Sequence, residues 1–556
     1  MAAMPLSSPT HPSSSSSNSS FHTALRSPMS VTDESAKTSA TPKPSYRRPV
    51  QVKAEVKEHC HIYLDEQIYS TALTLLNDLV VTGASHPEHQ DRPTVVPDPH
   101  HIELACALLI HPRPTSQEAT NVSLPSQSIL FLRNVLIHQG SRNANLGEAF
   151  SFSSLVNNRK SRSNRIRHED RSSGSDTEDK QGQVNGIVAN NGRMRRCARD
   201  FWHMVGWAFN CSVRFPRRWN LWKVWLDFML DVLEHDWTER EQEDLAEDDC
   251  WKLRRQSLLV KYLADAVNKS HAVKRIVRSA FADGDAESLK DFPEVFFNET
   301  RKPRYGQKRK RDDPLGEMFG SYNNEDEAEF ESDNTPESSQ EADEIENMSG
   351  KIWLGDMEST ALRQRVIMLL SRVSAYLPEC FADCVDVYDE IYQCTVRLPL
   401  PAFTQFTSTA DSSQMPSFVF VTLAQLLLVR LLPLSAPRPQ TIEDRSDDGV
   451  TQVMLERCFL PFASSNTSVA DNARVSILAE NFFRCLVKTG GCEFTQSLKA
   501  AVEKGIMARE NKIKGDRRRR EPEPRNKTEE GELFALKASG QRMRCLLAVL
   551  KQYRAD

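Results

Sequence analysis

Histidine, cysteine and tryptophan are the residues of this chain best suited to chemistry. Eight of the fourteen histidines lie between His59 and His138, and the run His59-Cys60-His61 has the side chains of a zinc ligand set. Zinc needs four such ligands in tetrahedral reach, usually as paired CxxC or HxxxH spacings. No such pair accompanies the run, so these histidines read as surface and loop residues. Cys380 and Cys384 share a helix face at i,i+4, with Cys394 beyond them, while Cys106, Cys211, Cys458 and Cys485 sit singly in helical patterns. Free cysteine packs as a small hydrophobe. Twelve thiols without the dense spacing of a secreted disulfide scaffold imply a reducing compartment.

Seven of the eight tryptophans fall between Trp202 and Trp251. Pro216 stands where a helix would begin, and Trp219, Trp222, Trp225/Leu226, Met229/Leu230 and Leu233 trace one stripe at helical spacing. Beside Arg217, Arg218 and Lys223, such rings could stack the bases of a single-stranded nucleic acid. Tryptophans at helical spacing bury large areas, which favours a core or a partner groove. Trp219, Trp222, Trp225 and Met229 are therefore expected to anchor a core or a bound partner. The strip Arg217, Arg218, Lys223, Asp227, Asp231 and Glu234 argues against complete burial of this helix and for packing on two sides.

No phosphate loop, GxGxxG, GxSxG, HExxH or PCxxC signature occurs, and the expectation is a protein without catalytic residues or cofactor. Three basic tracts stand out: Arg159 to Arg171, Lys302 to Arg311, and Lys512 to Arg520. Exposed Lys and Arg of this kind are read by a nuclear import receptor. Arg301, Lys302, Lys308, Arg309, Lys310 and Arg311 form the most complete signal. Contact with phosphate backbones is the competing role, opposed at Lys302 to Arg311 by the acidic block that follows. Ser173, Ser175 and Thr177 precede acids, as acid-directed kinases favour, and each phosphate would add about −1.5 to −2 charge beside the first basic tract.

These residues need elements to position them. Hydrophobic residues make up 39% of 556, below the roughly 45–50% of ordinary globular chains, and the deficit is concentrated in polar tracts. Residues 1–48 form a Ser/Pro-rich tail without the charged and apolar regions of a secretory signal. Apolar residues recur at spacings of three and four over 49–157, 193–300 and 351–508. Between these lie 158–192, almost without apolar residues, and 301–350, basic and then acidic, both expected to be disordered because they cannot offset their ordering entropy. Residues 509–556 hold a basic segment and a terminal helix. The expected fold is all-α, two or three irregular helical modules joined by disordered linkers, with a solenoid-like arrangement open to it.

No apolar run reaches membrane-spanning length, no heptad run is long enough for an extended coiled coil, and no repeat period emerges. The functional expectation is a non-enzymatic nuclear scaffold or adaptor that holds protein partners, with chromatin or genome maintenance favoured over ribosome assembly. A direct nucleic-acid binder using basic tracts and aromatic residues is the alternative.

Overall fold

The computed structural model describes residues 46–82, 92–112, 123–152, 194–246, 251–264, 269–300, 353–409, 415–442, 451–517 and 527–553. The fold is all-α. The one sheet among the described residues is a short parallel pair, β1 (Pro49–Gln51) against β2 (Thr94–Val96), with Pro49 opposite Thr94. Helices α1 (Ala54–Asp65) and α2 (Tyr69–Val81) lie between the two strands in sequence. Parallel pairing requires such a crossover. Three residues per strand are too few for a legible alternation, which is why the sequence pattern did not reveal them.

Helix α3 (Pro99–Ile110) starts where sequence chemistry places it: Pro99 occupies the first turn and the Asp98 carboxylate accepts from His100 N at 3.0 Å. Helix α4 spans Ser123–Asn143. Pro125 lies in its first turn, where a proline costs no intrahelical hydrogen bond. Gly140, at φ 74°, breaks the last turn of α4, and a Cβ there would fall 2.5 Å from Glu239 Oε1. Only glycine meets both demands.

Asp200 caps α5 (Phe201–Arg214) by accepting from His203 N, and Phe215 alone separates α5 from α6 (Pro216–Ala246). The stripe expected from Trp219 to Leu233 is therefore part of a 31-residue helix. Its acid-rich end is retained because Asp236 and Asp244 point inward. The Asp236 carboxylate accepts from Leu258 N at 2.7 Å, and that of Asp244 from Leu253 N and Arg254 N at 2.8 and 3.1 Å. These bonds pin the start of α7 (Leu258–Ala264), which is followed by α8 (Lys269–Ala280).

After residue 352 come α9 (Met357–Tyr376), capped by Asp356, then α10 (Cys384–Thr395), α11 (Leu400–Phe406) and α12 (Ser417–Leu431). A π turn over Leu455–Phe459 precedes α13 (Val469–Lys488), α14 (Gln496–Arg517) and α15 (Lys527–Tyr553). Helix α14 runs ten residues past Met507, where apolar spacing suggested its end, because buried Arg509 and Ile513 continue its inner face. Residues 512–517 of the third basic tract are thus helical. Helix α15, the terminal helix expected within 509–556, starts at Lys527.

Packing joins these helices across long sequence distances. Helix α4 rests on α2 and α3, α6 on α4, α5 and α9, α8 on α5 and α10, and α13 on α11, α12 and α15. One buried apolar cluster runs from Cys60 to Leu547. Gly505 lets α14 touch the chain after the π turn: a Cβ there would lie 1.8 Å from Leu460 O.

Candidate functional site

The Trp-rich helix α6 is where the sequence-singled residues and the buried charges meet. Trp222 and Trp225 are fully buried, Trp219 and Met229 nearly so. Trp222 stands edge-on to Trp225 with ring centroids 5.2 Å apart and packs on Phe296. In this chain the four expected anchors are core residues, and none offers a ring face to a base.

Two indole N–H groups of this aromatic core converge on Glu299, whose side chain has no solvent exposure. Trp207 Nε1 donates to Oε2 at 3.0 Å and Trp222 Nε1 donates to Oε1. Arg218 adds a fork, with Nε and Nη2 donating to Oε1 at 2.8 and 2.6 Å, and Phe296 N donates to Oε2 at 3.2 Å. Arg218 also reaches the Ile110 carbonyl at the end of α3. Five donors saturate a carboxylate, which leaves no lone pair for a substrate proton. Glu299 therefore acts as a bracket that ties α3, α5 and α6 to the segment ending at Thr300.

A second bracket holds α9. Arg363 is completely buried and donates from Nη1 to Ala280 O at 2.8 Å and from Nη2 to Ala282 O at 2.8 Å. Nη2 also reaches Ser212 Oγ and Nε reaches Ser359 Oγ, both at 3.2 Å, and the guanidinium lies 4.2 Å from the Phe209 ring centroid. Burial pulls Arg363 below the usual arginine range, against the opposing pull of Asp283 and Asp356. The carbonyls it caps close helix α8, so the negative end of that helix compensates part of the charge.

The polar strip of α6 faces two neighbours. Arg365 of α9 bonds Asp227 and Asp231 at 2.7 Å and Glu234 at 3.0 Å. On the other side Arg133 of α4 pairs with Asp227 at 3.0 Å. Lys223 reaches Glu358 and Trp219 Nε1 donates to Asp356 at 3.1 Å.

The nucleophile and metal candidates are dispersed. Burial raises the Cys106, Cys211 and Cys485 thiols and pushes Cys384 up to about 12, and Cys394 and Cys458 up to about 11. Such thiols remain protonated near neutrality. On α1, His59 is exposed, Cys60 is buried and His61 packs on His101 with ring centroids 4.9 Å apart. Among the described residues no three His, Cys, Asp or Glu side chains gather as a metal site would need. A cavity of about 280 Å³ between α7, α8 and the turn before α10 is lined mainly by Val260, Leu263, Ala272 and Phe381. Its one acid, Glu379, is held by Arg255 at 2.8 Å. No described helix is long and apolar enough to cross a membrane.

The import-signal residues Arg301, Lys302, Lys308, Arg309, Lys310 and Arg311 lie outside the described residues, as do Ser173, Ser175, Thr177 and the tract Arg159 to Arg171. Described residues on either side of 301–352 meet the start of α6, Glu299 at Arg218 and Asp356 at Trp219. No protein-family model matches the chain, and no curated protein matches it in sequence.

Sequence reading missed Glu299 and Arg363. Arg363 had a signal: it shares the face of Ser359, Val366 and Leu370, so the helical period alone places a cation among buried residues. Glu299 had only its place in an aromatic stretch, Phe292 to Phe297, next to the basic block.

Proposed function

We propose that the protein is a non-enzymatic nuclear scaffold, a helical platform that holds protein partners and carries its import signal on the segment between α8 and α9. The narrower assignment to a chromatin or genome-maintenance complex, in preference to ribosome assembly, belongs to the same proposal. One observation carries it: Glu299, Arg363 and Asp236 are each consumed in joining segments distant in sequence. Side chains spent this way rigidify a surface and take no part in turnover. Glu299 stands two residues before Arg301 in sequence, which puts the proposed import signal next to this bracket along the chain.

The test has two readings from one tagged full-length chain. Replacing Lys308, Arg309, Lys310 and Arg311 with alanine should move the protein from nucleus to cytoplasm. Affinity purification of the wild type with mass spectrometry should return a fixed set of chromatin or repair proteins. A tagged chain that stays cytoplasmic, or that purifies alone from nuclei, would sink the reading.

A further inference from the structure

We propose that the outer face of the helix pair α14 and α15 binds single-stranded nucleic acid, RNA or DNA, holding its phosphates with lysines and stacking a base on Phe534. This goes beyond the scaffold reading and does not depend on it.

The two helices run antiparallel. Arg544 of α15 forks onto Glu503 of α14 at 2.9 and 2.8 Å, while Gly540 faces Ile506, so residue numbers rise along one helix as they fall along the other. Lys504, Met507 and Lys514 recur on the outer face of α14 at intervals of three and seven residues, and all three are exposed. On α15, Lys537, Arg544 and Lys551 recur every seven residues, and the Arg544–Glu503 pair identifies their edge as the one beside α14. Lys537 and Lys551 therefore border the seam on which Lys504 and Lys514 stand.

Among the described residues Lys504, Lys512, Lys514, Lys537 and Lys551 are exposed and none makes an ion pair. Glu503, the acid at the centre of the seam, is held below the usual carboxylate range chiefly by its bond to Arg544. Residues 496–556 contain sixteen Lys and Arg against nine Asp and Glu, a net charge of +7, while the whole chain carries −5. Positive charge is thus concentrated at this end. At about 1.5 Å per residue, Lys504 and Lys514 are about 15 Å apart and Lys537 and Lys551 about 21 Å, a run of cations suited to a chain of phosphates.

The choice of single strand over another polyanion rests on Phe534, 75% exposed on α15 one turn before Lys537 and one turn after Glu530, with Met507 55% exposed on the neighbouring helix. A phenylalanine so exposed gains nothing for the fold. An aromatic ring beside a cation is what single-strand sites use, because bases offer π faces that a duplex or an acidic peptide does not.

Fluorescence anisotropy on the full-length chain would use labelled twenty-residue U and dT oligonucleotides, with a duplex and a polyglutamate of equal charge as competitors. Both oligonucleotides should bind, with a log–log salt slope of about −3 for four phosphate contacts. The variant K504E/K514E/K537E/K551E should flatten that slope and lose at least a hundredfold in affinity, its melting temperature unchanged because the lysines are exposed and unpaired. Phe534→Ala should lose about tenfold. Preference for U over dT would identify RNA as the source, and the reverse DNA. The proposal fails if wild type binds neither, if polyglutamate or the duplex competes as well as the single strand, or if Phe534→Ala binds normally. It fails equally if alanines over Arg301 to Arg311 abolish binding that the helix variant retains.

Discussion

Arg363 and Arg509 are both wholly buried, yet the molecule treats the two cations differently. Arg363, at the junction of α9 with α5 and α8, spends every guanidinium nitrogen on carbonyls or serine hydroxyls and lies on an aromatic face. Arg509, on α14, caps the carbonyls of Leu460 and Phe462 from Nη1 at 3.2 and 3.0 Å, while its Nε and Nη2 have no hydrogen-bond partner. Burial lowers both groups, and only Arg363 has carboxylates acting in its favour. The lesson is that burial depth alone does not rank these sites. What ranks them is how much of the lost hydration the surroundings replace.

Methionine at each position tests this most directly, since it keeps the stem and removes the charge. Arg363→Met strands the carbonyls of Ala280 and Ala282 inside the protein, and should cost about 3–5 kcal/mol in urea unfolding of the full chain. Arg509→Met also strands two carbonyls, the Phe462 contact being only part-buried, but it relieves a half-satisfied buried charge, so its cost should stay under about 1 kcal/mol. Equal losses would break the comparison.

A third buried group escapes the problem by staying neutral. His101 on α3 packs on His61 of α1, neither of its ring nitrogens has a hydrogen-bond partner, and burial followed by the neighbouring His61 lowers it to about 4. Asp98, Lys57 and His100 also act on it, Asp98 alone in the direction of protonation. Burial lowers His61 as well. Since the folded pKa lies below the unfolded value of about 6.5, the unfolded chain binds more protons in that interval. Stability should therefore be full above about pH 6.5 and fall as pH drops toward 4, by roughly 2–3 kcal/mol from His101. Melting curves from pH 7.5 to 4.5 should show the decline, and His101→Gln should flatten it. An unchanged slope in that variant would mean that other groups, His203 among them, carry the effect.

How much of this was legible in the sequence follows from the range of the forces involved. Helix α6 announced itself through local chemistry, Pro216 at its start and an apolar stripe at helical period. The all-α class followed from the same periodicity. What stayed hidden depends on contacts distant in sequence: Arg218 meets Ile110 and Glu299, and Arg363 meets Ala280. No local pattern encodes such a meeting. The continuation of α6 to Ala246 was hidden for the same reason, because Asp236 and Asp244 look like surface acids until Leu258 N and Leu253 N are placed against them.

An effect as small as that at Arg509 should come from a site with three ion pairs. Arg365 bonds three carboxylates spaced at i, i+4 and i+7 on α6, and the proximity of Glu234 and Asp231 holds its guanidinium above the usual arginine range. Its side chain is 13% exposed, but Asp227 and Asp231 keep 39% and 36% of theirs in water. Solvated carboxylates lose little when a partner leaves, since water replaces it. Their mutual repulsion adds a modest term, because Asp227 retains Arg133. Arg365→Gln should therefore cost about 1 kcal/mol, despite more ion pairs than Arg363 makes. Salt gives the sharper reading: raising ionic strength from 0.1 to 1 M shortens the screening length from about 10 to 3 Å, so most of the difference between wild type and variant should vanish. The Arg363→Met loss should be unchanged over the same range, because its lost partners are buried carbonyls. If the Arg365→Gln loss instead matches that of Arg363→Met and survives high salt, ion pairing at the rim of α6 matters as much as hydrogen bonding in its core, and the ranking drawn from Arg363 and Arg509 does not hold.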